Sequence, residues 1–330
     1  MTSKVLNLNP EYYTIWNHRR RVLEYLLRPH DASVSDGQTL EQDVQKILST
    51  ELQFLVPLLM KFPKCYWIWN HRYWALKQVS AKASATAAQQ AWNEELGLVS
   101  KMLSRDSRNF HGWDYRRFVV GGQRDLLQEN TGELRQDEIK SVHTADEPTR
   151  RATVTNQSIT ESEYAYTTKM IKTNLSNFSA WHNRSRLIPR LLDERGAGDA
   201  ERKKLFDEEL ALIDSAVFTD PYDQSLWYYH HFLMNEVCRS DDSSFAHFSN
   251  KDRRKHLETE IEAIRDLLED TDDCKWVYYS LLMYSAQYLE VDAGNKLVTT
   301  QEMRDWLAQL RRLDPMRRHR WDDWERMLNL

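Results

Sequence analysis

Apolar residues recur three and four positions apart through five stretches of the chain, 43–63, 92–103, 162–175, 205–217 and 256–270. Leu96, Val99, Met102 and Leu103 keep this spacing in one of them, as do Ile261, Ile264, Leu267 and Leu268 in another. Such a period lines one face of an α-helix. Each stretch is followed by a second helical pattern rich in aromatics. These align on a tryptophan: "YYTIWNHRRRVL", "KCYWIWNHRYWAL", "RNFHGWDYRRFVV", "SNFSAWHNRSRLI" and "YDQSLWYYHHFLM". The anchors are Trp16, Trp69, Trp113, Trp181 and Trp227, at intervals of 53, 44, 68 and 46 residues. A sixth, lacking the cation that follows the others, falls at Trp276. Constant units with variable spacers predict a single all-α solenoid domain over 1–330, built from five to six helix pairs.

Three residues after each anchor stand Arg19, Arg72, Arg116, Arg184 and then His230. An active site is needed once, so a residue repeated five times reads as structure: an indole filling the junction between helices and a guanidinium stacked on aromatics or paired with a carboxylate of the adjacent unit. Asn109, Asn177 and Asp223, four residues before their tryptophans, suit helix N-caps, and Asn9-Pro10 suits the first unit. In "WIWNHRYW", Trp69, Arg72, Tyr73 and Leu76 share one helix face, while Trp67, Asn70, His71 and Trp74 fall on the other. That second face needs a neighbour of its own. No first helix is evident ahead of Trp16, so the expectation is either a longer chain or a partner covering that end. The polar stretch 121–160 accounts for the longest interval and is expected to be an inserted surface loop, partly disordered.

With 9 Gly and 8 Pro in 330 residues, turn-formers are scarce, which suits helices joined by short connections. The 45 basic and 50 acidic residues leave a formal net charge of −5, and nothing points to nucleic acid. Cys65, Cys238 and Cys274 form no CxxC pair and no Cys/His cluster with zinc spacing. No apolar run approaches a membrane span, and a cytoplasmic location is expected. Searches for G-x-S-x-G, H-E-x-x-H, P-loop and G-x-G-x-x-G patterns are empty. "EDTDD" at 269–273 and "WDDWE" at 321–325 read as solvated caps, and His230-His231 as packing.

The five anchored segments together resemble the tandem repeats of protein prenyltransferase α subunits, and the resemblance runs from Asn9 to Asp314. Within that family "RNFHGWDYRRF", "NFSAWHNRS", "CKW" and "LDPMR" look most like the Rab geranylgeranyltransferase (type II) α subunit in its compact, fungal-like form. The resemblance implies a right-handed α-α solenoid, a crescent of TPR-like hairpins, wrapped around a β subunit that holds the catalytic zinc; no cofactor is expected on this chain. It further implies geranylgeranyl transfer from geranylgeranyl diphosphate to C-terminal cysteines of Rab GTPases presented by the Rab escort protein. The family motif K-x-Y-x-x-W-x-H-R-x-W is occupied by Lys64, Tyr66, Trp69, His71, Arg72 and Trp74. Lys64 is thereby the expected diphosphate-contacting catalytic residue, with Tyr66 beside it as substrate-binding. Trp67, His71, Arg72 and Trp74 become candidates for the subunit interface. So do Asn109, His111, Arg116, Arg117, His182 and Arg184. Trp67 stands where Rab-type relatives carry a small residue and farnesyltransferase-type subunits a polar one, a departure that either argues against CaaX-box recognition or marks local repacking. The rival readings are the α subunit shared by farnesyltransferase and type I geranylgeranyltransferase, and a non-enzymatic protein-binding solenoid.

Overall fold

The periodic stretches fold as helices, and among the described residues there is no strand. The structure is a computed structural model describing residues 1–28, 37–138, 147–239, 241, 244–292, 294 and 297–330. The chain divides into two compact units, Met1–Ile159 and Thr160–Leu330.

The first unit contains α1 (Thr2–Leu8), α2 (Tyr13–Leu26), α3 (Gly37–Lys61), α4 (Tyr66–Lys82), α5 (Ala85–Arg105) and α6 (Phe110–Glu138). Helix α7 (Glu147–Thr173) leads into the second, which continues with α8 (Phe178–Glu194), α9 (Asp199–Thr219), α10 (Gln224–Cys238), α11 (Asn250–Asp270) and α12 (Lys275–Val291). Helix α13 (Thr300–Leu313), a 3-10 turn at Pro315–Arg317 and α14 (Arg318–Leu328) close the chain. Helices α3 with α4, α5 with α6, α9 with α10 and α11 with α12 pack as hairpins, and α4 with α6 and α10 with α12 join successive hairpins.

Expectations for two stretches of the chain change. A short helix does precede Trp16: α1 packs on α2, burying Leu6 completely. The polar stretch 121–160 is entered by helix from both sides, by α6 up to Glu138 and by α7 from Glu147, while 139–146 lie outside the described residues. Packing explains the start of it. Gln123 and Leu126 are buried, and Gly122 lies so close to Trp92 that a Cβ would stand 2.2 Å from the indole.

Every anchor tryptophan makes the same bond. Its indole N–H donates to the carbonyl six residues back: Trp16 to Pro10 (2.8 Å), Trp69 to Pro63 (2.9 Å), Trp113 to Ser107 (2.8 Å), Trp181 to Leu175 (2.8 Å) and Trp227 to Pro221 (2.7 Å). The indole thus ties the turn to the helix it opens. The sixth anchor is not Trp276 but Tyr278, whose hydroxyl donates to the carbonyl of Asp272 at 2.8 Å. The N-cap position confirms this register, since Cys274 precedes Tyr278 by four residues as Cys65 precedes Trp69. Asn109, Asn177 and Asp223 cap as expected, accepting from the N–H groups of Gly112, Ala180 and Ser225. Asn9 instead ends α1 and accepts from Glu11, leaving Tyr12 as the N-cap of α2. The N-cap side chain also reaches back to the preceding repeat. Cys65 Sγ donates to the Pro10 carbonyl (3.6 Å), Asn109 Nδ2 to Pro63 (3.1 Å) and Cys274 Sγ to Pro221 (3.1 Å).

The repeated cation is structural and links three helices. Arg72 Nε and Nη2 donate to both oxygens of Glu95 on α5, at 2.7 and 2.5 Å, while Nη1 donates to the Leu52 carbonyl of α3. Arg19 clasps Glu51 on α3 at 2.6 Å twice and donates to Thr2 and Ser3 of α1. Arg184 clasps Glu209 on α9 at 2.7 and 2.6 Å and donates to Thr168 of α7. A third group completes each glutamate, two residues after the next tryptophan: His71 on Glu51 (2.7 Å), Tyr115 on Glu95 (2.7 Å) and Tyr229 on Glu209 (2.6 Å). Burial and the neighbouring carboxylate push the Tyr115 and Tyr229 hydroxyls well above the usual range, so both remain donors. Removing one member of such a buried pair strands its partner. Arg72→Ala should therefore cost about 3–5 kcal/mol in urea unfolding, against less than about 0.5 kcal/mol for a change at exposed Ser104.

Candidate functional site

Lys64 lies in the turn between α3 and α4, and its neighbours on both sides are tied down. The Pro63 carbonyl accepts from Trp69 and Asn109, and Cys65 donates to Pro10. The lysine side chain itself is 78% exposed, and its one ion pair, to Asp106, is long at 3.8 Å. A rigid base thus presents an ammonium that water still solvates.

Aromatic rings cluster at the start of the helices that follow this turn and its neighbours. Tyr66 opens α4 with its ring edge-on to Trp67 at 5.3 Å and 6.1 Å from the His111 imidazole of α6. Burial lowers the His111 pKa, partly offset by Asp114 and a hydrogen bond to the Lys64 backbone. Phe110 lies against His111 at 3.9 Å, and Trp67 lies against Tyr13 of α2 at 5.4 Å. Tyr13, Tyr66 and Phe110 are 51%, 55% and 70% exposed, too much ring surface for an idle solvent face. All three stand three residues before their tryptophans, at the N-terminal ends of successive second helices. The sequence signal for Tyr13 and Phe110 is this aromatic, which recurs three residues before Trp16, Trp69 and Trp113.

The interface candidates divide sharply. Arg117 and His182 are exposed, and Trp67, Trp74 and His111 are half-buried. His71, Arg72, Asn109, Arg116 and Arg184 are buried within the chain and offer a partner no surface. The reason is the cation ladder: Arg72 and Arg184 hold glutamates, Arg116 Nη1 donates to Ser100 at 2.8 Å, and Asn109 caps α6. The second face of "WIWNHRYW" finds its neighbour within the chain. His71 packs against Trp16 at 4.8 Å and Trp74 at 5.3 Å, and Trp67 meets Tyr13.

His71 Nδ1 receives Arg20 Nε at 3.3 Å, so Nε2 carries the hydrogen donated to Glu51. Burial pushes His71 below the usual imidazole range, more than Glu51 restores. Burial alone would raise the Glu51 carboxyl, but the bonds from His71 and Arg19 leave it below its ordinary value. Among the described residues no helix is long and apolar enough to cross a membrane.

Five segments match the protein prenyltransferase alpha subunit repeat, at residues 1–26, 48–79, 92–122, 160–191 and 206–237, and each holds one anchor tryptophan. The chain is 33% identical to the geranylgeranyl transferase type-2 subunit alpha of Candida albicans, over 98% of this chain and 83% of that protein. It is 32% identical to the protein of that name in Saccharomyces cerevisiae, over 97% and 82%. With that of Homo sapiens the identity is 32% over 76% of this chain and 35% of the longer human protein.

Because the folded pKa values of both His71 and Glu51 are depressed, their contribution to stability is complete above the unfolded imidazole pKa of about 6.5 and is lost as pH falls. The thermal midpoint should therefore fall as the pH drops below about 6.5. His71→Gln, which keeps a donor for Glu51 but removes the imidazole titration, should flatten that slope.

Proposed function

From the premise that the chain belongs to the geranylgeranyl transferase type-2 alpha-subunit family, we propose that it works as the α subunit of a heterodimeric Rab geranylgeranyltransferase. An α subunit of this kind has a β subunit as its partner, and zinc is assigned to that β subunit. The reaction joins a thiolate sulfur of a Rab C-terminal cysteine to C1 of geranylgeranyl diphosphate. The C–O bond breaks and diphosphate leaves with the electron pair. Zinc would keep the attacking thiol deprotonated.

The observation that carries the assignment of chemistry to this chain is the exposed, weakly paired ammonium of Lys64 on a turn anchored at both neighbours. A cation held there would stabilise the charge growing on the departing diphosphate, an effect worth most where water is excluded. The Tyr66 hydroxyl stands beside it for the same anion. The exposed rings of Tyr13, Tyr66 and Phe110 supply the apolar area by which a β subunit could close over the turn and exclude that water. Presentation of the Rab protein by an escort protein and a cytoplasmic location belong to the same reading. The type-2 names of the relatives favour it over a subunit shared with farnesyltransferase.

Lys64→Ala should lower single-turnover geranylgeranyl transfer by about 10²–10³ while leaving the heterodimer intact on size-exclusion chromatography. Unchanged transfer would remove Lys64 from the chemistry. Failure of the wild-type chain to copurify with a coexpressed β subunit would sink the enzyme reading itself.

A further inference from the structure

Among the five tryptophan-anchored repeats the cation ladder replaces its arginine once. In the fifth repeat the arginine is His230, and a carboxylate stands where the sibling repeats carry a hydroxyl. The ladder glutamates Glu95 and Glu209 are each followed five residues later by Ser100 and Asp214. Ser100 Oγ accepts from Arg116, as Thr168 of α7 accepts from Arg184, both at 2.8 Å. Asp214 takes that place for His230, with its Oδ1 3.1 Å from Nε2. Glu260 of α11, the next ladder glutamate, brings Oε2 to 2.9 Å from the same nitrogen. An arginine spreads five N–H groups over its partners, but one imidazole nitrogen carries at most one hydrogen. Glu260 receives it, and Asp214 Oδ1 is left as a buried carboxylate oxygen without a hydrogen-bond partner.

We propose that Asp214, His230 and Glu260 form a binding site for one divalent transition-metal ion of the zinc class. Their ligand atoms all lie within 4.8 Å of one another. Four-coordinate zinc with bonds of about 2.1 Å needs ligand atoms about 3.4 Å apart, so the two nitrogen–oxygen distances of 3.1 and 2.9 Å must open slightly while the carboxylates rotate about the ion. A nitrogen with two carboxylates is a donor set for zinc, cobalt or manganese rather than for calcium or magnesium. On the far side of the ring, Nδ1 shares a 2.5 Å hydrogen bond with the Tyr284 hydroxyl, the kind of outer contact that orients a ligating imidazole. His230 and Glu260 are buried, and Asp214, with 30% of its side chain exposed, provides the entrance. An ion entering the site displaces the Nε2 hydrogen of His230, and the two carboxylates then balance its two positive charges. The site is independent of the prenyl-transfer assignment, since Lys64 contributes nothing to it.

The test is Co²⁺ titration of the chelator-stripped full chain, followed by the visible absorption of bound cobalt and by displacement with Zn²⁺. One cobalt should bind per chain. Asp214→Ser, which restores the hydroxyl of the sibling repeat, should weaken binding at least tenfold with an unchanged circular dichroism spectrum. His230→Arg, which restores the ladder cation, should abolish binding, and Zn²⁺ should raise the thermal midpoint of the wild type alone. No uptake by the wild type at millimolar cobalt would overturn the proposal, leaving His230 as a protonated substitute for arginine. Equal uptake by wild type and Asp214→Ser would overturn it as well.

Discussion

A guanidinium removed from water must find its full set of acceptors inside the protein, and that requirement organises this fold. Arg19, Arg72 and Arg184 find them on two helices at once: the first helix of their own repeat and the first helix of the next. A buried ion pair adds little net stability over apolar packing, because desolvation consumes most of the attraction. Its effect is on register. The fork of Arg72 meets Glu95 with two parallel bonds, a geometry that one helical step of slippage would destroy. Tyr115 then occupies a remaining site on the carboxylate, so each glutamate reports on three helices.

The same constraint decides what is left for function. With the interior of the second helices committed to the ladder, binding groups must come from the helix ends and the turns. Lys64 sits in such a turn, between a carbonyl that accepts two bonds and a cysteine that donates one. Its backbone is as fixed as the core, while its side chain remains free to follow an anion. Tyr66 and His111 flank it because consecutive second helices start side by side, α4 with α6.

Periodicity made the helices legible, and repetition made the structural role of Trp69 and Arg72 legible before any coordinates. Both signals are one-dimensional and survive in a single sequence. What escaped were contacts between positions that no period relates. His71 reads as a second-face aromatic, yet Glu51 lies twenty residues earlier and Trp16 in the preceding repeat, and together they bury it. Arg116 and Asn109 stand both in the repeated structural pattern and among the interface candidates, and their bonds to Ser100 and the Pro63 carbonyl decide for the former. Tryptophan as the marker puts the sixth anchor at Trp276, two residues early. The bond to a carbonyl six residues back is the true invariant, and Tyr278 makes it equally well. Lys64 was reached through family resemblance alone, since an isolated exposed lysine has no pattern.

The carbonyls of Pro10, Pro63 and Pro221 each accept twice, from the aromatic of their own repeat and from the N-cap of the following one. Half of each turn's bonding is therefore lent by a neighbour. A repeat that melts leaves its predecessor with a half-filled acceptor, so the frontier between folded and unfolded segments carries its own free-energy penalty. Within each unit the chain behaves as a one-dimensional cooperative lattice, in which a fluctuation either heals or runs to the end. The turn that carries Lys64 is one link of that lattice, so the geometry of the proposed catalytic edge is maintained by the folding of the repeats on either side of it.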